Sequence, residues 1–145
     1  MPAADFIHDA VKNALVKDGW VITADPYTIE YEEIKVFADL AADRLLAIER
    51  DNKKIVVEIK SFVGRSPIHD LEVALGQYAL YQALLEVTAP ERTLFLAVSD
   101  DVYAELFLQK GVQLIVRRYR LALIVVNVQA QEIVQWISSW DTETS

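Results

Sequence analysis

An acid and a lysine interrupt an apolar segment of this sequence two residues apart. Glu58 and Lys60 lie within Ile55–Ser61, whose apolar residues are all isoleucine or valine. Residues i and i+2 of a β-strand project from the same face, so these two side chains are expected next to each other. A charged group in an apolar strand is costly unless it is paired or binds something. The pair is therefore the first candidate for chemistry.

Two acids lie upstream, where the preceding strand is expected to begin. Counting back through the predicted hairpin puts Asp43 nearly opposite Ser61, with Asp39 further along, and either acid could approach Glu58. An upstream aspartate followed by Glu-x-Lys is the pattern of a magnesium-dependent phosphodiesterase. Mg²⁺ prefers hard oxygen ligands and keeps most of its waters, so one or two carboxylates suffice to hold it.

Each residue of this pattern has a chemical role in such a site. The aspartate and Glu58 would bridge Mg²⁺ or Mn²⁺, and the carbonyl of Ile59 could add a ligand. The metal would lower the pKa of a water and neutralise charge on the scissile phosphate. Lys60 would orient or activate that water, or stabilise the pentavalent phosphorus. The alternative is an exposed Glu58–Lys60 ion pair on an edge strand, worth about 0–1 kcal/mol.

A long helix is predicted to follow, from Pro67 to about Val87, with Ser66 as its N-cap. Its expected apolar face is Leu71, Ala74, Leu75, Tyr78, Ala79 and Leu85. Gln77 and Tyr81 are spaced i and i+4, one above the other on the helix. There they can contact a phosphate or order the lysine; the alternative is partial burial of an amphipathic helix.

The rest of the chain alternates between helical and strand patterns. Helices are predicted at residues 5–17, with Asp5 as N-cap, and at 100–108. Strands are predicted at 20–23, 44–50, 54–61, 93–98, 112–116 and 121–126, and residues 131–136 are predicted to form a last strand or a docked C-terminal segment. An extended segment is predicted at 28–37, with Ile29 and Tyr31 pointing inward and Ile34 as a further inward candidate. Strands 44–50 and 54–61 are expected to form an antiparallel hairpin around the turn Asp51-Asn52. This order predicts an α/β fold with a sheet flanked by helices.

Length and composition bound the class of protein. The 145 residues fit one domain, 1–145, with a polar tail over about 141–145. The absence of cysteine excludes disulfides, thiolate zinc sites and a cysteine nucleophile. The N-terminus has no basic apolar leader, and no apolar run reaches the roughly 18 residues of a membrane span. A cytoplasmic location without membrane contact is therefore expected.

The charge balance is acidic, with 14 Lys and Arg against 22 Asp and Glu, a net charge of −8. Tight binding to DNA comes mainly from basic residues that neutralise phosphates, so a free-standing DNA binder is disfavoured. DNA contact is expected through a partner or a local patch. The best patch is Arg117-Arg118-Tyr119-Arg120, and its alternative is a solvated turn between two strands.

These motifs resemble those of a known superfamily. Asp39, Glu58-Ile59-Lys60 and Gln77-x-x-x-Tyr81 look like the PD-(D/E)xK nucleases, and the last element resembles their RecB-like branch. More closely, the whole chain resembles the XisH family, the excision-controlling factors of the fdxN element in cyanobacteria. The stretches that carry this resemblance are His8–Leu15, Lys17–Trp20, Val57–Phe62, Ala74–Tyr78 and Ile133–Ile137.

The resemblance implies a restriction-endonuclease-like core with a mixed central sheet. It also implies a role in site-specific DNA excision during heterocyst development, alongside a recombinase and a small companion protein, XisI. Family position favours Asp39 over Asp43 as the motif acid, although Ala38 stands where the motif has proline. Some related nucleases add an acid from the first helix, for which Asp5 or Asp9 would be the candidate here.

Two functions of different kinds remain open from the sequence. One is a Mg²⁺- or Mn²⁺-dependent DNA endonuclease with Asp39, Glu58 and Lys60 as catalytic residues. The other is a non-catalytic accessory module with a nuclease fold that positions the recombinase or the companion protein. A toxin–antitoxin-like or repair component is a third, weaker alternative. Self-association is also expected, because three Trp and several Tyr in a small chain can leave apolar surface to bury.

Overall fold

The computed structural model of the protein describes residues 2–44 and 53–138, with side chains from residue 6 onward. Its helices are α1 (Pro2–Lys17), α2 (Pro67–Thr88), α3 (Asp100–Val102), which continues as a π-helical turn (Tyr103–Phe107), and α4 (Lys110–Arg118). Its strands are β1 (Val21–Ala24), β2 (Tyr27–Tyr31), β3 (Ile34–Ala38), β4 (Leu40–Arg44), β5 (Lys53–Ile59), β6 (Thr93–Ser99), β7 (Ala122–Asn127) and β8 (Glu132–Ser138). Within these ranges no helix is long and apolar enough to cross a membrane.

Six of the strands form one mixed sheet in the order β1-β4-β5-β6-β7-β8. The pairs β5–β6 and β6–β7 are parallel, and the pairs β1–β4, β4–β5 and β7–β8 are antiparallel. The three parallel strands, β5, β6 and β7, carry nearly continuous apolar runs because both of their faces are covered. The predicted α/β class with a mixed central sheet is therefore confirmed.

Helices cover the two faces of this sheet unequally. Both parallel crossovers, β5-α2-β6 and β6-α3-α4-β7, step in the same direction, so the right-handed rule places their helices on one face. The core on that face joins residues of α2 and α4 to Val56, Leu94 and Leu123. The core on the opposite face joins α1 to Ile55 and Val57. The strands alternate between the two cores, as period-two geometry requires.

Strands β2 and β3 form a separate two-stranded hairpin instead of one extended segment. Ile29 is buried against α2 as predicted, but Tyr31 and Ile34 are 45% and 40% exposed. These two face each other beside the turn. They lie at the tip, beyond the part of the hairpin that packs on the core, so the prediction that they point inward is wrong.

The predicted strand at 112–116 is wrong, because this segment lies in helix α4. Val112 and Val116 are buried four residues apart, while Leu114 between them is 61% exposed. That is a helical pattern, which a segment of only five mostly apolar residues does not distinguish from a strand. The basic segment 117–120 therefore lies at the end of a helix, and not in a turn between two strands.

The strand that pairs with β5 begins earlier than predicted. β4 spans Leu40–Arg44, and residues 45–52, with the predicted turn Asp51-Asn52, lie outside the described residues. The register pairs Asp43 with Lys54, so its predicted position opposite Ser61 is wrong. The predicted tail at 141–145 also lies outside the described residues. Helix α1 begins at Pro2, so Asp5 lies within the helix and is not its N-cap.

Helix α2 agrees with its prediction at both ends and is fixed to the sheet by one buried hydroxyl. The Ser66 side chain caps it by accepting from the His69 amide at 3.2 Å. Tyr78 Oη donates to the Leu94 carbonyl at 3.2 Å and accepts from the Ala122 amide at 3.1 Å. A single side chain thus joins α2 to β6 and β7.

Replacing Tyr78 by Phe should lower the free energy of unfolding by about 1–3 kcal/mol, because it leaves the buried Ala122 amide and Leu94 carbonyl without that partner. Urea unfolding followed by tryptophan fluorescence measures the change. Tyr119→Phe is the matched control, because Tyr119 is 53% exposed. Equal stability of the two variants would contradict the bridging role of the Tyr78 hydroxyl.

Candidate functional site

Asp39 occupies the single residue between β3 and β4, where the small hairpin joins the main sheet. The β4–β5 register ends at the pair Leu40–Val57, and one further step places Asp39 across from Glu58. Asp39 Oδ2 accepts a hydrogen bond from the Ile59 amide at 2.8 Å, and its side chain is 35% exposed. The carboxylate is therefore fixed by backbone on one side and open on the other.

Glu58 lies near the end of β5, a central strand flanked by β4 and β6. It projects to the α2 face, since Val56 two residues earlier packs with α2. Glu58 is only 7% exposed, and its Oε1 atom is buried without a hydrogen-bond partner. The alternative of an exposed ion pair on an edge strand is thus wrong. Lys60 follows the strand and places its Nζ 3.6 Å from Glu58 Oε2.

The electrostatics of this cluster raise the pKa of Glu58 to about 7, from an ordinary value of 4.5. Burial is the largest cause, and the nearby charge of Asp39 adds to it, while Lys60 acts in the opposite direction. Burial disfavours the ionised form because a carboxylate loses its hydration. One lysine therefore leaves the two carboxylates undercompensated, and Glu58 retains a proton up to neutral pH.

Helix α2 brings Tyr81, one of the predicted supporting residues, toward this cluster. The Tyr81 hydroxyl donates at 3.2 Å to the carbonyl of Phe37, which lies in β3 two residues before Asp39. Burial raises the pKa of Tyr81, with smaller contributions from Glu58 and Asp39. Gln77 Oε1 is buried without a hydrogen-bond partner. Tyr81 thus holds the strand that leads into Asp39, while the predicted contacts of Gln77 and Tyr81 with phosphate or lysine stay predictions.

The other predicted acid, Asp43, lies at the opposite end of the β4–β5 pair. Its Oδ2 accepts from Lys54 Nζ at 3.2 Å, and its Oδ1 lies 3.1 Å from Arg92 Nη1. Arg92 is 12% exposed and also donates to the Ile55 carbonyl at 3.0 Å. Asp43 is therefore part of a structural ion-pair group, and Asp39 is the acid that the structure brings to Glu58.

The structure also adds neighbours of Asp39 that the sequence motifs did not indicate. A cavity of about 100 Å³ is lined by Ile7, His8, Asp39, Ile59 and Ser61. His8 Nδ1 lies 4.0 Å from Asp39 Oδ1, and its Nε2 lies 3.1 Å from Asp25. Asp9, predicted as a possible acid from the first helix, is exposed. These residues meet through the packing of α1 on the sheet, for which no local sequence signal exists.

Lys12 completes this group around Asp25. Its Nζ donates to Asp25 Oδ2 at 2.8 Å. The hydrogen bond from Lys12 is the largest cause that lowers the pKa of Asp25, and His8 contributes in the same direction. Asp25 is thereby held as an anion, and it orients the ring of His8 toward Asp39.

The donor set at Asp39 and Glu58 fits a hard divalent cation. No group of three or more His, Cys, Asp or Glu side chains that could hold a metal occurs within residues 6–44 and 53–138. Two carboxylates are nevertheless sufficient for Mg²⁺, which keeps several waters. Glu58 Oε1 is buried without a hydrogen-bond partner, so it has a lone pair available for a cation.

Replacing Glu58 by Gln should remove a destabilisation that grows with pH. Because the pKa of Glu58 is about 7 in the folded protein and ordinary when unfolded, the folded state binds more protons between pH 4.5 and 7. The stability of the unsubstituted protein therefore falls as pH rises through this window. Over the same window, we expect Glu58→Gln to gain up to about 3 kcal/mol relative to the unsubstituted protein.

Urea unfolding at a series of pH values from 4.5 to 8 measures this difference. Glu132→Gln is the matched control, since Glu132 is exposed on β8 and its replacement should give a curve parallel to that of the unsubstituted protein. A Glu58→Gln curve that is also parallel would mean that Glu58 ionises as freely in the folded chain as in the unfolded one.

Comparison with known proteins identifies relatives along most of the chain. The model of the XisH protein family matches residues 1–134. The chain is similar to the crystal structure of an XisH family protein from Nostoc punctiforme, with 36% identity and a TM-score of 0.83 over 92% of this chain and 100% of that one. It is also similar to a fdxN element excision controlling factor protein from Anabaena variabilis, with 37% identity and a TM-score of 0.83 over 92% and 99% of the two chains.

No curated protein matches the chain. The family model nevertheless spans most of the sequence, and both solved structures align over nearly their whole length. The chain belongs to the XisH family.

Proposed function

We propose that this protein takes part in the control of DNA-element excision and that it carries a Mg²⁺-dependent phosphodiesterase site at Asp39, Glu58 and Lys60. The observation that carries the proposal is the buried Glu58, held between an acid and a lysine at the end of a central strand. A structural role does not require a carboxyl group there, since an apolar residue would cost less to bury. The order of the elements is compatible with a PD-(D/E)xK core.

In this proposal each residue of the chain has a defined part. Asp39 and Glu58 would hold Mg²⁺ or Mn²⁺ through their carboxylates, and the Ile59 carbonyl would be a further ligand. When bound, the metal supplies Lewis acidity and neutralises charge on the phosphodiester. The Ile59 amide fixes the orientation of Asp39. Lys60, whose Nζ lies 3.6 Å from Glu58 Oε2, would direct its ammonium toward the attacking water or the phosphate.

The biological setting is proposed from the family. One similar structure is that of a fdxN element excision controlling factor, and both similar structures come from cyanobacteria. We infer a corresponding role here in site-specific excision, together with a recombinase and a small companion protein of the XisI kind. The acidic net charge of −8 supports such partners, because tight contact with DNA then has to come from them.

The second candidate is a non-catalytic accessory module, and the position of the basic residues favours it. Glu58 lies at the carboxyl end of β5, whereas Arg117 and Arg118 precede the amino end of β7. Because β5, β6 and β7 run parallel, the basic helix end and the acidic site lie at opposite ends of the sheet. A duplex held at these arginines would not reach Glu58 directly.

A cleavage assay distinguishes the two candidates. With supercoiled or branched DNA and Mg²⁺ or Mn²⁺, the protein together with its companion should nick the substrate. Asp39→Asn, Glu58→Gln and Lys60→Met should each lower the rate by about a hundredfold or more, because each removes a charge from the reacting centre. Glu132→Gln on β8 should retain the full rate.

The same variants test the accessory role in an excision assay with the recombinase. If the unsubstituted protein cuts no substrate with either metal and Glu58→Gln still supports excision, the phosphodiesterase proposal is wrong and the accessory role stands. Loss of excision by folded Glu58→Gln would count against a purely accessory role.

Metal binding can be measured without any activity. Mg²⁺ at about ten times the Kd of its complex with the protein should raise the melting temperature of the protein by about 3–5 °C. The reason is that the ion binds only the folded state. Asp39→Asn and Glu58→Gln should abolish this rise, and NaCl at equal ionic strength should not reproduce it. An equal rise in all three proteins would place any bound metal elsewhere.

A further inference from the structure

The outward face of α2 carries an apolar ridge that none of the described residues, 2–44 and 53–138, covers. Val73, Leu80 and Val87 are 43%, 43% and 60% exposed, and they are spaced seven residues apart. Gly76 and Ala83 are also exposed, so the five residues of the ridge follow one another at alternating steps of three and four residues. Repeated apolar residues at this spacing form the contact stripe of a helix that packs against another helix. The buried face of α2 is separate and already packs on the sheet.

Gly76 lies in the middle of this ridge, and no contact among the described residues requires a glycine at this position. A Cβ atom built there would meet no heavy atom within 4 Å. A glycine inside a helix costs about 0.5–1 kcal/mol relative to alanine. Between Val73 and Leu80 it leaves a notch in which a side chain of a second helix fits.

The charges on α2 indicate the kind of helix that would pack there. Its acidic residues are Asp70, Glu72 and Glu86, and it has one histidine, His69, with no lysine or arginine between Pro67 and Thr88. Glu72 is 71% exposed, and its one described ionic contact is with His69 at 3.6 Å. A partner with apolar residues between basic ones therefore complements the ridge.

Helix α4 has that character. Leu114 is 61% exposed at its centre, and Leu108 just before the helix is 56% exposed. Lys110 and Arg118 lie four residues to either side of Leu114, so they share its face. No acidic residue occurs between Lys110 and Arg118. The outward face of α4 is thus an apolar position flanked by cations.

The two helices present these faces in the same direction. Both α2 and α4 pack on one face of the sheet through a shared core. A groove of about 500 Å³ lies between them, lined by Gln82 and Glu86 of α2 and by Tyr119 at the end of α4. One layer of the molecule therefore carries an acidic apolar ridge beside a basic apolar one.

We propose that this layer is the interface of a homodimer. In a two-fold dimer, α2 of each copy packs on α4 of the other, so the acidic ridge meets the basic helix twice. Such an interface is self-complementary, as two-fold symmetry requires. Exposed Val73, Leu80, Leu114 and Leu108 are buried between copies, and Glu72 and Glu86 face Lys110 and Arg118. The dimer forms whether or not the site at Glu58 cleaves DNA.

A charge-reversal experiment tests this pairing with the full chain. The acid-reversed variant carries Glu72→Lys and Glu86→Lys, and the base-reversed variant carries Lys110→Glu and Arg118→Glu. Each alone places like charges together in both contacts, so its dimer dissociation constant should rise by about tenfold or more. Mixing the two variants restores opposite charges in both contacts and should restore the dimer. Sedimentation velocity over a range of protein concentrations measures all four samples, including the unsubstituted protein.

Further variants separate this interface from others. Leu80→Asn should weaken the dimer, whereas Val21→Asn, at an exposed apolar residue on edge strand β1, should leave it unchanged. Circular dichroism and thermal melting confirm that each variant is folded. The proposal is overturned if the unsubstituted protein is monomeric at every concentration, or if its dimer survives both charge reversals. It is also overturned if the mixed variants fail to pair.

Discussion

The burial of one carboxyl group in a central strand is the constraint on which the rest of this structure depends. Glu58 is enclosed by β4, β6 and α2, and among the described residues Lys60 alone is close enough to offset its charge. Because desolvation and Asp39 together outweigh that lysine, the pKa of Glu58 rises to about 7. The surrounding apolar sheet provides the stability that allows such a group to be retained.

The geometry around Glu58 is fixed by backbone contacts more than by side-chain pairs. Asp39 is the only residue between β3 and β4, and its carboxylate is bonded to the Ile59 amide. Tyr81 bonds to the carbonyl of Phe37, two residues before Asp39. The small hairpin is therefore held at the joint where it enters the sheet. This arrangement places Asp39 across from Glu58 without any direct bond between the two acids.

The acidic site and the basic end of α4 lie at opposite ends of the sheet. The acidic site lies at the carboxyl ends of the parallel strands, and the basic end of α4 lies at their amino ends. Helix α2 contributes to both regions, because its inner face supports the site and its outer face carries the exposed ridge. Experiments can therefore separate the effects of substitutions on the inner face, which concern the site, from those on the outer face, which concern the ridge.

Local signals in the sequence were sufficient for much of this fold. The isoleucine and valine run of β5, the Ser66-Pro67 start of α2 and the apolar run of β6 each carry their own pattern, and the structure has all three elements. The family could also be identified, since short motifs along the whole chain carry the resemblance. The five residues Val112–Val116 were too few to separate the period of a helix from that of a strand.

What only the tertiary structure decided was which distant residues meet. Asp39 and Asp43 are equivalent in the local sequence, and only the β4–β5 register sends one to Glu58 and the other to Lys54 and Arg92. His8 reaches the cavity beside Asp39 through the packing of α1, and Asp25, between β1 and β2, contacts His8 there. The sequence determined the residue types of the site and the strand that carries them. Their assembly depended on long-range register and helix packing, because those are set by the free energy of the whole core and not by any segment alone.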